Sequence, residues 1–223
     1  ILDHFNHEQG VDFAKLYFLF CYTLALDYKH VQTNIYDNIA LPYSHWVKEN
    51  WGSLNSSVKK IQKGDEYVFL SRMAVTKGGY APGASIFTFS KALLKKDRKV
   101  TIISLGPVSA EFNHLSAEYP NLKILGLENT STLPKILSLI ELLKYIRPRV
   151  VLTEIEFDVV SVLAILQPLV PVIFLSPGYY NLPWYDKIAL TDNLSFEPIG
   201  NRTDDFFEIP TYVSDEILAP PVD

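Results

Sequence analysis

The chain has 223 residues, 48% of them hydrophobic and 20% charged, with a net charge of −5 at neutral pH. That balance belongs to a globular chain, long enough for one large α/β domain or a domain with a small helical piece. The negative charge and the lack of a basic tract argue against nucleic-acid or membrane-surface binding, and the single cysteine, Cys21, excludes an internal disulfide or a cysteine-rich zinc site.

Val11–His30 and Tyr43–Lys63 space apolar residues by threes and fours and predict two helices, with Cys21 in the core of the first. The loop "NIYDNIALPYSH" separates them. The most apolar stretch, "LYFLFCYTLAL" (Leu16–Leu26), is shorter than the roughly 20 apolar residues a membrane span needs. Residues 1–63 therefore read as a helical cap, closed by the stop signal at Gly64. From its opening Ile1 and its closing "ILAPPVD", the chain is expected to be a soluble, cytoplasmic piece of a longer protein.

From Tyr67 the pattern alternates. Strands are predicted at Tyr67–Met73, Lys99–Leu105, Leu122–Leu127, Val150–Glu154, Val170–Leu175 and Lys187–Thr191. Helices are predicted at Gly83–Lys95, Ser109–Glu118, Leu133–Ile146 and Asp158–Gln167. Unbroken Val/Ile/Leu runs mark strands covered on both faces, as in parallel sheets. Right-handed crossovers then give an α/β fold, a doubly wound parallel sheet of order 3-2-1-4-5-6 with the helical extension at its N-terminus. Residues 64–197 form this Rossmann-like domain, and 198–223, rich in proline and acidic residues, read as a linker towards a second domain.

In such a sheet the crevice opens between strands 1 and 4, ringed by the loops 74–82, 106–108, 154–157 and 176–184. The first contains "MAVTKGGYAPGASIFTF". Its glycines do not follow G-x-G-x-x-G, so the dinucleotide fingerprint is absent. Gly78, Gly79 and Tyr80 instead suit a backbone that approaches an anionic or polyhydroxylated ligand ahead of a helix start shaped by Pro82; the plain alternative is an ordinary turn. "TEIEFD" ends strand 4 with Glu154, Glu156 and Asp158, of which at most one is a candidate general base, with Asp158 equally suited to cap a helix. "SPGYYNLPWYDK" follows strand 5, and Ser176, Gly178 and Tyr179 are candidate ligand contacts, since its aromatic rings suit either a sugar face or the wall of the core. The five histidines show no metal-ligand spacing, so no metal site is expected, and with no dinucleotide fingerprint no bound cofactor is expected either.

"KGGYAPGASIFTFSKALLKKDRKVTIISLG" resembles the opening of the N-terminal domain of two-domain (GT-B) glycosyltransferases, with its strand, glycine-rich loop, helix and second strand. "IRPRVVLTEIEFDVVSVLA" is similar to the family's segment leading through strand 4 into an acceptor-side loop. "PVIFLSPGYYNLPWYDKIALTD" is similar to the family 4-like or O-GlcNAc-transferase-like branch, whose acids Asp186 and Asp192 match. The resemblance covers about Tyr67–Asp192 and departs from the family in one loop, where Ser176-Pro177-Gly178-Tyr179 stands in place of a histidine common there. It implies a nucleotide-sugar donor, an acceptor hydroxyl or amide, and no metal. It also implies a second Rossmann domain of the same chain that holds most of the donor site, so these residues alone should be inactive. A nucleotide-sugar epimerase of related two-domain fold, or a non-enzymatic Rossmann module that binds a partner, are the alternatives; ligand-induced rise in melting temperature separates the enzymes from the module.

Overall fold

The computed structural model describes residues 60–76, 81–127, 132–154, 169–176, 187–190 and 206–208. In chain order they form β1 (Glu66–Ser71), α1 (Ala81–Leu94), β2 (Val100–Ser104), α2 (Ala110–Glu118), β3 (Leu122–Gly126), α3 (Thr132–Ile146), β4 (Pro148–Thr153), β5 (Val172–Ser176), β6 (Lys187–Leu190) and β7 (Phe206–Glu208). The helices expected over 11–30 and 158–167 lie outside the described residues. The helix expected over 43–63 does not reach its predicted end: residues 60–63 are in neither helix nor strand, Ile61 is buried, and its N–H donates to the Leu169 carbonyl at 3.0 Å.

All seven strands join one parallel sheet of order β3-β2-β1-β4-β5-β6-β7. The expected order 3-2-1-4-5-6 is therefore present. Phe206–Glu208, inside the stretch read as a linker, adds a seventh strand against β6. β1 and β2 are buried almost throughout, as strands covered on both faces must be, whereas β3 at the sheet edge is largely half-exposed.

The register aligns apolar side chains in rows across the strands. Ile124, Ile102, Phe69, Leu152 and Ile173 stand side by side from β3 to β5, on one face. Against that face α1 presents Ile86, Phe87 and Leu94, and α2 presents Phe112 and Leu115. Spacings of seven and eight in α1 and of three in α2 put each set on one side of its helix. Phe87 and Phe112 meet edge to face, with centroids 5.3 Å apart and planes at 85°. Between β3 and β4 the chain crosses back over the sheet, so a right-handed crossover sets α3 on the other face, where Leu139 and Leu143 are fully buried.

The amino edge of the sheet is pinned by polar groups. The Thr101 hydroxyl donates to the buried Glu66 carboxylate. Asp65 and Lys99 pair at 3.0 Å on the surface. The Lys99 hydrogen bond and charge hold the Asp65 carboxyl below its ordinary range. That contribution is complete above the carboxyl's unfolded value and is lost as pH falls through the lowered folded one; exposure keeps it small.

α3 ends on Arg147, whose φ of 55° is left-handed. Pro148 forces this stop, because a proline disfavours the right-handed helical conformation in the residue before it. A non-glycine residue there carries strain of about 1–2 kcal/mol, part of which glycine gives back through its freer unfolded chain. Arg147→Gly is therefore expected to raise stability by about 0.5–1 kcal/mol, read from the urea midpoint. A lower midpoint would show that the arginine side chain contributes more than its backbone costs.

Candidate functional site

The crevice of a doubly wound sheet lies beyond the carboxyl ends of the strands, where the order reverses. Here the reversal falls at β1, which pairs with β2 on one side and β4 on the other. Ser71, Ser104 and Gly126 end β1, β2 and β3 and stand side by side in the register. Each is two residues beyond the apolar row of Phe69, Ile102 and Ile124 and shares its face. Glu154, two residues beyond Leu152, continues the line on the β4 side. The apolar row thus gives way to a polar one at the rim.

Ser71 and Ser104 are fully buried and Glu154 is only 4% exposed. A buried carboxylate is costly unless hydrogen bonds satisfy it, and Oε1 of this one is bonded across the switch point. The Ser71 hydroxyl donates to Glu154 Oε1 at 2.6 Å, with the Met73 carbonyl at 2.7 Å as the alternative acceptor for its single proton. The Arg72 backbone N–H donates to the same Oε1 at 3.3 Å. On the opposite face the Thr153 hydroxyl donates to the Leu70 carbonyl at 2.8 Å, again tying β4 to β1.

The loop after β1 is held equally firmly from the β2 side. Ala74 N–H lies 3.1 Å from Ser104 Oγ and 3.0 Å from the Pro107 carbonyl, and Ser109 N–H donates to the Ala74 carbonyl at 2.8 Å. Ala74 and Val108 form a parallel bridge. Gly106 permits this closeness, since a Cβ there would stand 2.8 Å from the Arg72 carbonyl oxygen. Residues 71–74 therefore form a fixed platform from which the stretch containing Gly78 and Gly79 departs before α1 begins.

Of the residues singled out from sequence, Glu154 lies on this rim and Ser176 ends β5 at the same carboxyl edge, paired with Leu190. Gly78, Gly79, Tyr80, Glu156, Asp158, Gly178, Tyr179, Asp186 and Asp192 lie outside the described residues. Ser71, Arg72 and Ser104 were not anticipated. A signal for the serines was present: "YVFLS", "VTIIS" and "VIFLS" each close an apolar run on a hydroxyl, which is an unusual place for a polar side chain in a strand buried on both faces. Among the described residues no helix is long and apolar enough to cross a membrane.

Two solved structures are similar to the chain. One is a glycosyltransferase from Rickettsia africae, 19% identical, with a TM-score of 0.47 over 66% of this chain and 43% of that one. The other is MurG of Acinetobacter baumannii, 13% identical, with a TM-score of 0.47 over 70% of this chain and 48% of that one. The chain spans less than half the length of either. No protein-family model matches the sequence, and no curated protein does. What the strand order itself establishes is a Rossmann-like α/β fold, a doubly wound parallel sheet whose switch point carries a buried hydroxyl and carboxylate rim.

Proposed function

We propose that this chain is the acceptor-side domain of a two-domain glycosyltransferase, which moves a sugar from a nucleotide-sugar to an acceptor hydroxyl or amide. The observation that carries the reading is the switch point at β1 and β4, with a glycine-rich stretch leaving the β1 rim towards α1. The similarity of residues 67–192 to GT-B sequence patterns supports it. In the reaction the acceptor atom bonds to the anomeric carbon while the bond from that carbon to the diphosphate oxygen breaks. The diphosphate leaves with the electron pair, and the acceptor proton passes to a base, at most one of Glu154, Glu156 and Asp158. In this reading the backbone amides of Gly78 and Gly79 receive a sugar or phosphate oxygen. Most donor contacts belong to a second Rossmann domain, and the protein acts in the cytoplasm.

The test is to incubate the complete protein with a panel of uridine, guanosine and cytidine diphosphosugars and to measure released nucleoside diphosphate and glycosylated product. Release of diphosphate is expected with at least one donor. No release, together with no donor-induced rise in melting temperature, would overturn the reading, and conversion of the donor to an isomer would establish the epimerase instead. A second measurement reports on the loop. Gly79→Val is expected to lower kcat/KM by about 100-fold or more, because bulk on a crevice floor displaces the ligand. The melting temperature, measured alongside, separates this from misfolding; normal turnover in a normally folded variant would reduce the loop to an ordinary turn.

A further inference from the structure

We infer that Glu154 is a positioning residue, a latch that fixes the loop after β1, and not the base of the reaction. The inference rests on the glycosyltransferase reading for its kinetic consequence, but its structural content stands apart from it. Three observations meet here. Glu154 is 4% exposed, so little of it is open to the crevice in which an acceptor would lie. One of its oxygens, Oε1, is committed to the Ser71 hydroxyl at 2.6 Å and the Arg72 N–H at 3.3 Å. Both partners stand at the point where β1 becomes the loop leading to Gly78 and Gly79.

The arrangement has a mechanical logic. β1 is the hinge of the whole sheet, since the order turns around it. From the β2 side, the Ser104 hydroxyl and the Pro107 and Ser109 backbones hold Ala74. From the β4 side, Glu154 holds Ser71 and Arg72. Held on both sides, residues 71–74 leave the sheet in one direction, and the glycine-rich stretch starts from a fixed point. Small shifts at such a point are costly to catalysis, about 100-fold for an ångström of misplacement. A long carboxylate is suited to the task because it spans the gap between two strand ends with an acceptor at its tip, which neither serine nor threonine in that position would reach.

Positioning and catalysis predict opposite behaviour for the isosteric amide. Glu154→Gln keeps an acceptor oxygen for Ser71 and Arg72 but cannot take a proton. As a latch, Glu154→Gln is expected to hold kcat within about threefold and to leave the pH profile of kcat unmoved, whereas Glu154→Leu, which keeps the volume and removes the acceptor, loses about 100-fold. As a base, both variants would lose activity equally and the pH profile would lose one limb; that result would overturn the inference. Hydrogen exchange at the Arg72 amide, measured on the complete protein without any substrate, gives a readout independent of activity. Exchange is expected to quicken at least about tenfold in Glu154→Leu and to stay near wild type in Glu154→Gln. Unchanged exchange in Glu154→Leu would overturn the latch. Should that variant not fold, Ser71→Ala carries the exchange measurement, with several-fold faster exchange at Arg72 expected and no change overturning the inference. A protein that turns over no nucleotide-sugar yet shows the exchange pattern would leave the latch standing and remove only the glycosyltransferase reading.

Discussion

Phe69→Ala is expected to remove about 3–5 kcal/mol of stability, the range for truncating a buried phenylalanine. Phe69 is 1% exposed and stands in the middle of the apolar row, with Ile102 on one side and Leu152 on the other. It belongs to the same buried cluster as Ile86, Phe87 and Phe112, on the face covered by α1 and α2. Its neighbours are held by strand register on two sides and by two helices above. They cannot collapse into the space, so most of the cavity cost is paid in full. Because whole domains are stable by only about 5–15 kcal/mol, the change consumes a large part of the total. Denaturant midpoints at unchanged m-value measure it. Phe69→Leu, which fills most of the volume, is expected to cost less than half as much. A loss below about 1.5 kcal/mol for the alanine variant would mean that the sheet face relaxes far more than close packing allows.

Gly64→Ala is the second large effect. A Cβ on Gly64 would lie 2.4 Å from the Arg147 carbonyl oxygen, and the Gly64 N–H donates to that same oxygen at 2.9 Å. The obstructing atom is backbone at the junction of α3 and β4, so it cannot swing aside as a side chain would. Accommodating the methyl group requires parting the two segments and lengthening their hydrogen bond, with an expected cost of about 1–3 kcal/mol. Gly126 is the internal control, since a Cβ there meets nothing within 4 Å. Gly126→Ala is expected to be neutral or to stabilise by about 0.5 kcal/mol through the unfolded chain. Equal midpoints for the two variants would contradict the close approach at Gly64. These two glycines look alike in the sequence, and only their surroundings tell them apart.

The same division runs through the molecule. Apolar runs such as "YVFLS", "VTIIS" and "RVVLT", alternating with helical spacing, were enough to identify β1, β2 and β4, the helices between them and the parallel order around β1, because burial on both faces leaves a local, contiguous signature. The crevice edge followed from that order alone. Element ends were less legible: β1 stops at Ser71 where a strand to Met73 was expected, and β4 starts at Pro148 where Val150 was expected. In both places hydrogen bonds to distant residues, and not propensity, decide the boundary. β7 is three residues long, too short for any periodicity to show, and exists because β6 offers it a free edge. The sequence offers Glu154 as one of three candidate carboxylates for a base, yet its partners stand 83 and 82 positions away. Charge and position were written in the chain; burial and the hydroxyl it would meet were not. Chemical type is a local property and was readable from the sequence. Whether a carboxylate faces a ligand or a buried serine depends on which strand ends the sheet brings together, and that the tertiary structure alone decided.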